Sequence, residues 1–299
     1  MSEKSGFTGM GEDGGEESDF SDFKFTLGII GGCGSMGRWF RNFYSDAGVN
    51  VIVSDIGTEL TNKDLAKQSD VVFLSVPMNA LPAVCREVAP LLSESQLLMD
   101  CGSLKTEVMK NMLDYSRSEV LGTHPLFGPF SDSIHGQNVI FCNGRGEKWH
   151  PIFRRMFENK GARVTYLEPD IHDRNMAVFQ GLTHFLNIAM GRTLQKIGMP
   201  LEHVKHSSTP VFRVSLDLVG RLFKQDPDLY AQIIGTNPFV LSVIDAFLAS
   251  FSEAKEKLLN GDDSKSFMNE IKAYLGDYCD SGFKESNAFL NALYKDNEP

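Results

Sequence analysis

Three glycines at a regular spacing give the chain its clearest chemical signal. An apolar run, Thr26–Ile30, leads into Gly32-x-Gly34-x-x-Gly37, and a helix is predicted over Arg38–Ala47. At such a junction the first glycine permits a tight turn, the second lets a pyrophosphate approach the backbone, and the third lets the helix pack on the strand. N–H groups exposed at the start of the helix bind phosphate oxygens. The segment predicts a dinucleotide site, with contacts from Gly32, Gly34, Ser35, Met36 and Gly37.

A carboxylate and a short loop extend this predicted site. The next predicted strand, Val51–Ser54, ends at Asp55, where a carboxylate can accept hydrogen bonds from the ribose hydroxyls. Asp55 favours NAD over NADP, because it would repel a 2′-phosphate and no arginine immediately follows it. The loop Ser75-Val76-Pro77 follows another predicted strand, at the edge where open α/β sheets bind ligands. We expect this loop to line the cofactor crevice, although Pro77 could equally be a turn former.

Two more loops carry residues suited to proton transfer and hydrogen bonding. One contains Ser103 and Lys105 and the other begins at His124; each follows a predicted strand at the same sheet edge. A histidine there can take a proton from a substrate hydroxyl while hydride leaves the same carbon, because its ordinary pKa lies close to neutral. A loop histidine that is hydrogen-bonded for structure alone is the alternative. Position by itself leaves both interpretations open.

Polar side chains recur at helical spacing in the second half of the chain. His172-Asp-x-Asn-Met and Gln180-x-x-x-His184 have spacings of three and four, which would place their polar groups on one face of a helix. Arg213 and Arg221 are predicted to lie on roughly one face of a helix over Val211–Phe223. Guanidinium groups hold carboxylates in a bidentate geometry, so either arginine is a candidate anchor for an anionic substrate. Either could instead be a solvated or interface charge.

Two predicted domains position these residues. From residue 23 to 168, short apolar runs alternate with helical stretches, which is typical of a parallel sheet covered by helices. From residue 169 to 299, apolar residues recur at helical spacing and strand signals disappear. We therefore predict an α/β fold, with an N-terminal Rossmann-type parallel-sheet domain followed by an all-helical C-terminal domain. The predicted strands are Thr26–Ile30, Val51–Ser54, Val71–Val76, Leu97–Asp100, Val120–Thr123, Val139–Cys142 and Val164–Tyr166.

Two segments of unusual composition complete this organisation. Residues 1–22 are rich in Gly, Ser, Glu and Asp and contain few large apolar side chains, so they are predicted to form a disordered acidic tail. In the helical domain, Phe239–Phe251 is apolar on more than one face. This pattern predicts a helix that is buried, either against a second copy of the chain or in the domain core.

Composition and charge narrow the classes of function. The 299 residues carry a formal net charge of −10, which argues against a general nucleic-acid surface, because phosphate binding requires clustered positive charge. The five cysteines are scattered without metal-ligand spacing, so we predict no metal site and a reduced, cytoplasmic compartment. The apolar stretch Pro238–Phe251 is interrupted by Asp245 and is too short to span a bilayer. The first residues lack the pattern of a signal peptide.

With these motifs in order, the sequence resembles the prephenate dehydrogenase family of tyrosine biosynthesis, particularly the dehydrogenase portion of the bacterial T-protein. The resemblance covers about residues 26–283. The motifs that carry it are Gly-Gly-x-Gly-x-Met-Gly-Arg at Gly31–Arg38, Ser-Val-Pro at Ser75–Pro77, Ser-x-Lys at Ser103–Lys105, Gly-x-His-Pro-x-Phe-Gly-Pro at Gly122–Pro129, His-Asp-x-Asn-Met at His172–Met176, Gln-x-x-x-His-Phe at Gln180–Phe185, and Gly-Arg-Leu-Phe-x-Gln-Asp-Pro-x-Leu-Tyr at Gly220–Tyr230.

The resemblance implies a reaction and roles for individual residues. The reaction would be the NAD-dependent oxidative decarboxylation of prephenate to 4-hydroxyphenylpyruvate, by a homodimer joined through the helical domain. His124 would be the catalytic group that accepts the proton of the C4 hydroxyl, and Ser103 would contact the same hydroxyl. Arg221 would bind a substrate carboxylate. Further contributions to substrate binding or to the inter-domain cleft are implied for His184, Lys105 and Arg213.

The ends of the chain differ from the T-protein pattern. The short acidic tail could not supply the helical chorismate mutase domain of a T-protein, so we expect no mutase activity. Little sequence follows Phe283, so any inhibition by tyrosine is expected to act at or near the catalytic cleft.

Three alternatives remain open at this point. Arogenate dehydrogenase acts on a substrate with an ammonium group where prephenate has a keto group, and Asp132 is a candidate carboxylate for that ammonium. A β-hydroxyacid dehydrogenase would need a lysine base early in the helical domain, but His172–Leu194 contains none. A non-catalytic protein that binds NAD would tolerate the loss of His124.

Overall fold

The computed structural model describes residues 24–259 and 263–295, so the predicted acidic tail, residues 1–22, lies outside the described residues. The chain forms two compact units. Among the described residues, the sheet unit comprises 24–76, 85–101 and 112–165, and the helical unit comprises 77–84, 102–111, 166–259 and 263–295. Two short segments before residue 166 therefore cluster with the helical unit. The predicted domain boundary between residues 168 and 169 stays a prediction.

A seven-stranded sheet organises the sheet unit. Its strand order is β2-β1-β3-β4-β5-β6-β7; neighbours from β2 to β5 pair in parallel, and β6 pairs antiparallel with β5. All seven predicted strands are present, which confirms the predicted fold class. The strands are β1 Thr26–Ile30, β2 Asn50–Ser54, β3 Val71–Leu74, β4 Leu97–Asp100, β5 Glu119–Pro125, β6 Asn138–Arg145 and β7 Arg163–Tyr166.

The described helices follow the predicted change of character along the chain. After β7, no further strand occurs in the described residues. The helices are α1 Ser35–Asp46, α2 Asn62–Gln68, α3 Leu81–Val88, α4 Thr106–Tyr115, α5 Trp149–Asn159, α6 Pro169–Met176, α7 Thr183–Ile197, α8 Val204–Ser207, α9 Pro210–Phe223, α10 Pro227–Thr236, α11 Val240–Leu259, α12 Ser264–Leu275 and α13 Tyr278–Lys295.

Aromatic side chains fill the core of the sheet unit. Phe40 and Tyr44 of α1, Phe73 of β3 and Phe157 of α5 are completely buried. The ring of Phe40 lies 4.9 Å from that of Phe73 and 6.4 Å from that of Phe157, measured between centroids. Burial of each such ring contributes about 1.5–3 kcal/mol, so this cluster fixes α1, and with it the glycine segment, against the sheet.

Local sequence signals define the starts of two helices in the helical unit. Thr209 accepts a hydrogen bond from the N–H of Phe212 and precedes a proline at the first position of α9. Asp226 accepts one from the N–H of Asp228 and precedes a proline at the first position of α10. These are preferred capping arrangements, so the boundaries of the helices that carry Arg221 and Tyr230 follow from sequence.

The last helices expose much of their apolar surface. Val240 is the only buried residue of α11, and α12 contains none. Phe251, Tyr274 and Phe283 are all exposed in the single chain. Phe239–Phe251 is therefore not buried in the core of its own domain, which was one of the two predictions for it. Burial of this segment against a second copy stays a prediction.

Of the described helices, none alone is long and apolar enough to cross a membrane. Only α10 and α11 taken together, with a bend of 91° between them, reach the length and apolar composition of a span.

Candidate active site

The turn after β1 takes its shape from glycines. Gly31 has a backbone φ of +83°, a value that residues with a side chain rarely adopt. Its N–H donates to the carbonyl of Ser54 at 2.9 Å. The role predicted for Gly32, permitting the tight turn, thus falls to Gly31. A Cβ on Gly32 would instead meet the side chain of Val53, and a Cβ on Gly37 would meet the carbonyl oxygen of Gly31. The predicted close packing at Gly37 is therefore present.

The start of α1 offers donors for an anion. Gly34 is the N-cap residue of α1 and forms no side-chain cap, and the first turn contains no acidic residue. Cys33, Gly34 and Ser35 are exposed. The first N–H groups of a helix have no partner within it, so this open first turn is suited to the phosphates of a dinucleotide. Arg38 donates from Nη1 to the carbonyl of Cys33 and stiffens the turn.

Asp55 lies directly after β2 and reaches the glycine turn. Its Oδ2 accepts the N–H of Cys33 at 2.8 Å, and its Oδ1 accepts the N–H of Ile56 at 2.7 Å. An ionised carboxylate has about four acceptor positions, so capacity remains for ribose hydroxyls. The residues present therefore fit the adenosine half of NAD.

The loop after β3 lies beside the same turn. The N–H of Ser75 donates to the carbonyl of Ile30 at 2.8 Å. The carbonyl of Ser75 and the side chain of Val76 occupy the space where a Cβ on Gly31 would stand. The carbonyl of Pro77 accepts the N–H groups of Ala80 and Leu81, which fits the turn-forming alternative for Pro77.

His124 is a strand residue and not, as its prediction had it, the first residue of a loop. β5 continues to Pro125 because it pairs with β6, where His124 lies opposite Ile140. Its side chain is 3% exposed. β1, β3, β4 and β5 are parallel, so their carboxyl ends share one edge of the sheet, and His124 lies two residues beyond Gly122, which is level with Asp100. The sheet unit thus brings His124 to the edge that also carries Gly31 and Ser75.

The segment with Ser103 and Lys105 belongs to the helical unit. Ser103 is half-buried, whereas Lys105 is completely buried. The backbone N–H of Lys105 donates to Oδ1 of Asp173 at 2.8 Å, and that of Thr106 donates to Oδ2 at 2.9 Å. Asp173 was not predicted as a site residue, and it fixes this segment to α6.

Three polar residues of the helical unit come together. The rings of His184 in α7 and Tyr230 in α10 meet edge to face, with centroids 4.7 Å apart. Burial lowers the pKa of His184, so the imidazole is neutral at neutral pH. Burial raises the pKa of Tyr230, and the nearby Arg221 guanidinium opposes that rise. This arrangement offers a cation and neutral hydrogen-bonding groups to a carboxylate.

Tyr230 was missed as a site residue, although a signal existed. It ends the same motif that contains Arg221, nine positions earlier in the chain. Arg213 lies eight residues before Arg221 in α9 and is half-buried. Eight helical residues rise about 12 Å, so the two arginines are expected to serve different groups.

The helix predicted to carry both polar motifs is irregular. Between α6 and α7 the chain forms a π-helical segment, Ala177–Leu182. Wider turns change the angular spacing, so the shared face predicted for His172 and His184 from ideal α-helix geometry does not carry across this segment. His172 is completely buried and donates from Nδ1 to Asp173 Oδ1 at 2.7 Å.

The carboxylate considered for an arogenate ammonium lies elsewhere in the sheet unit. Asp132 lines a surface pocket of about 380 Å³ together with Asn42, Asp46 and Lys160. The pocket extends along α1 from Trp39 to Asp46, and Nε1 of Trp39 donates to the carbonyl of Ser131, the residue before Asp132, at 2.8 Å. A role for Asp132 in recognising the substrate stays a prediction.

The described part of the chain contains no group of three or more His, Cys, Asp or Glu side chains placed to hold a metal ion. No disulfide joins any of its cysteines, which are Cys33, Cys85, Cys101, Cys142 and Cys279.

Comparison with known families covers both units. Residues 43–166 match the family described as "Prephenate dehydrogenase, nucleotide-binding domain", and residues 168–273 match "Prephenate dehydrogenase, dimerization domain". A T-protein from Enterobacter agglomerans is 34% identical over 267 residues, which are 88% of this chain and 71% of that protein. The chain belongs to the prephenate dehydrogenase family. The predicted family membership and class, a nicotinamide-dependent oxidoreductase with a nucleotide-binding domain, are confirmed.

Two further members of the prephenate dehydrogenase family show how far the similarity extends in sequence and in fold. A probable arogenate/prephenate dehydrogenase from Methanocaldococcus jannaschii is 32% identical over 289 residues, which are 90% of this chain and 65% of that protein. The crystal structure of prephenate dehydrogenase from Aquifex aeolicus, in complex with hydroxyphenyl propionate and NAD+, has a TM-score of 0.66 at 22% identity and covers 83% of this chain and 96% of its own. The fold is therefore that of the family. The named relatives include both prephenate and arogenate dehydrogenases.

Proposed function

We propose that the protein is an NAD-dependent prephenate dehydrogenase, which converts prephenate to 4-hydroxyphenylpyruvate and carbon dioxide. The observation that carries the proposal is the place of His124, buried at the sheet edge that also carries the open start of α1 and the Asp55 carboxylate. The chain-wide relationship to T-proteins supports the choice of prephenate. The chain spans 65% of the Methanocaldococcus jannaschii relative and 71% of the Enterobacter agglomerans T-protein, so the activity is proposed for the segment in hand.

The residues of the sheet unit account for cofactor binding and proton transfer. The N–H groups of the first turn of α1 hold the phosphates, and Asp55 accepts the ribose hydroxyls. The NAD held by these residues would supply the acceptor for the hydride that leaves C4 of the substrate. His124 accepts the proton of the C4 hydroxyl as the carbonyl forms. The bond to the ring carboxylate then breaks, its electron pair completes the aromatic ring, and His124 returns the proton to the oxygen.

The residues of the helical unit account for recognition of an anionic substrate. Arg221 provides the cation for a carboxylate, with a planar geometry that fixes direction as well as charge. His184 is neutral and Tyr230 keeps its proton, so both can donate hydrogen bonds without adding charge. Ser103 hydrogen-bonds the C4 hydroxyl. Lys105 and Arg213 are proposed to support this binding, and the buried position of Lys105 favours an indirect contribution.

Arogenate is the second candidate substrate. A relative from Methanocaldococcus jannaschii is named as an arogenate/prephenate dehydrogenase, and the two substrates differ only in the keto or ammonium group of the side chain. Selective recognition of arogenate would require a carboxylate aimed at the ammonium, and Asp132 stays the candidate for it. The relationship to T-proteins favours prephenate, which we keep as the preferred substrate.

Three further features belong to the proposal. A homodimer through the helical unit is supported by the dimerization-domain match and by the exposed apolar side chains of α11 to α13. Tyrosine shares a phenol and a carboxylate with the product, so its inhibition is proposed to occur at the substrate site. A cytoplasmic location is proposed as well, and it fits five cysteines that form no disulfide with one another.

The test is NADH formation by the purified protein, with prephenate and arogenate compared side by side. His124→Asn is expected to lower kcat about 100-fold or more if His124 accepts the proton. His135→Asn, an exposed histidine of the same unit, is the matched control and should retain full activity. Turnover of arogenate alone would change the substrate, and absence of turnover with both substrates would contradict the proposed function.

A further inference from the structure

Asp173 is a buried carboxylate that caps a helix distant in sequence. It is 2% exposed, and its two oxygens accept the N–H groups of Lys105 and Thr106. These residues stand at the start of α4, where a helix leaves its first N–H groups without internal partners. Asp173 follows Thr106 by 67 residues, so α6 supplies α4 with its N-terminal cap.

Asp173 is itself held from two sides. His172 donates to its Oδ1 at 2.7 Å, and Asn237, in the turn between α10 and α11, donates from Nδ2 to its backbone carbonyl at 2.8 Å. Both of these neighbours are buried. Burial alone would raise the pKa of Asp173, but hydrogen bonds from His172, Thr106 and Lys105 bring it below its ordinary value. The carboxylate is therefore ionised and fully engaged as an acceptor at neutral pH.

We infer that Asp173 is a positioning residue for the reaction, because it fixes the backbone of Lys105 and Thr106 and so sets the place of the Ser103 hydroxyl two residues earlier. This inference rests on the proposed function, in which that hydroxyl contacts the C4 hydroxyl of the substrate. A displacement of about 1 Å at a reacting group costs about 100-fold in rate, so a loop held this close to Ser103 governs catalysis without touching substrate. His172 and Asn237 hold the carboxylate in place.

The primary variant is Asp173→Asn, which keeps the shape but replaces one acceptor oxygen with a donor. One of the two N–H groups then faces an N–H₂ group and loses its bond. We expect kcat to fall about 10- to 100-fold while KM changes about twofold or less, because the loss concerns alignment and not ground-state binding. The affinity for NAD should change little, since the first turn of α1 and Asp55, which are proposed to hold its phosphates and ribose, belong to the sheet unit.

A matched control and a second variant separate positioning from folding. Asp170→Asn lies on the same helix, in an exposed ion pair with Arg174, and should retain wild-type kcat and melting temperature. Thr106→Val removes only a hydroxyl bond to Asp173, and a smaller loss of the same sign is expected. This variant tests the inference even if Asp173→Asn folds poorly. Hydrogen exchange at the amides of Lys105 and Thr106 should accelerate in Asp173→Asn and not in Asp170→Asn.

A double-mutant cycle with Ser103→Ala decides the outcome. If Asp173 acts through Ser103, adding Asp173→Asn or Thr106→Val to Ser103→Ala causes little further loss of kcat, whereas a general structural effect is additive. Additive losses, or a kcat for Asp173→Asn within twofold of wild type, would overturn the inference. Full activity of Ser103→Ala would overturn it as well, while leaving the dehydrogenase assignment intact. Wild-type protein that turns over neither substrate removes the proposed function and this inference with it.

Discussion

The sheet unit and the helical unit differ in how much of their apolar surface is buried within one chain. The sheet unit closes its own core, in which Phe40, Tyr44, Phe73 and Phe157 are completely buried. The helical unit has no buried residue in α12 and leaves Tyr274 89% exposed. Exposed apolar surface on this scale is typical of an interface. The difference is what the proposed dimer predicts: the sheet unit buries its core within one chain, and the helical unit is expected to bury its apolar surface against a second copy.

The first way to test this comparison is to open the core of the sheet unit. Phe157→Ala removes a ring that contacts Phe40, Phe43 and Tyr44, and leaves a cavity. The free energy of unfolding should fall by about 3–5 kcal/mol, measured by denaturant titration. Phe157→Leu, which keeps most of the volume, should cost much less. A loss below about 1 kcal/mol for Phe157→Ala would show that this core is not self-sufficient.

The corresponding change in the helical unit should act on assembly. Phe251→Ala is expected to weaken a dimer by about 2 kcal/mol, or about 30-fold in Kd, if this side chain is central to the interface. Analytical ultracentrifugation measures the shift, with Ser252→Ala on the same helix as control. A variant with an unchanged Kd but a lower melting temperature would place Phe251 in the folding of one chain instead.

A substitution in the glycine turn should weaken NAD binding by the sheet unit without changing dimer formation by the helical unit. In Gly37→Ala the new methyl group would meet the carbonyl of Gly31, so the glycine turn must shift. The cost of overpacking, about 1–3 kcal/mol, predicts a loss of NAD affinity of about tenfold, measured by calorimetry. The dimer Kd should not change. Gly48→Ala would be an unsuitable control because φ there is positive, so Gly220→Ala, in open space on α9, serves instead.

The smallest expected effect concerns pH. In the sheet unit, burial and then the Asp100 charge raise the pKa of Cys85 to about 12, so this thiol stays neutral at neutral pH. In the helical unit, burial lowers the pKa of His184 below its ordinary 6.5. The unfolded chain therefore binds a proton below about pH 6.5 that the folded chain does not bind, and stability falls as the pH drops through that value. His184→Gln should flatten this slope between about pH 5 and 7, measured by urea unfolding. An unchanged slope would contradict the burial of His184.

The same contrast explains how much could be predicted from sequence. Strands in the sheet unit are short apolar runs between turn residues, so local pattern located all seven. The glycine spacing predicted a dinucleotide site, and the family match confirms a nucleotide-binding domain, whereas the individual contacts stay predictions. The exact turn residue, Gly31, and the extension of β5 through His124 depend on pairing with other strands, which local pattern does not encode.

In the helical unit the informative contacts are distant in sequence. Asp173 caps a helix 67 residues earlier, and Tyr230 meets His184 across two helices. The π-helical segment Ala177–Leu182 changes the spacing from which shared faces were predicted. Motif spacing could therefore nominate residues of this unit as candidates, but it could not predict which residues contact them.

The most direct test of the central claim is the stoichiometry of the products formed from prephenate. NADH is followed by absorbance and released carbon dioxide by trapping, under conditions in which the substrate does not decompose without enzyme. The account predicts one carbon dioxide for each NADH, with both lost together in His124→Asn. NADH without carbon dioxide would indicate a different oxidation, and carbon dioxide without NADH would remove hydride transfer from the mechanism.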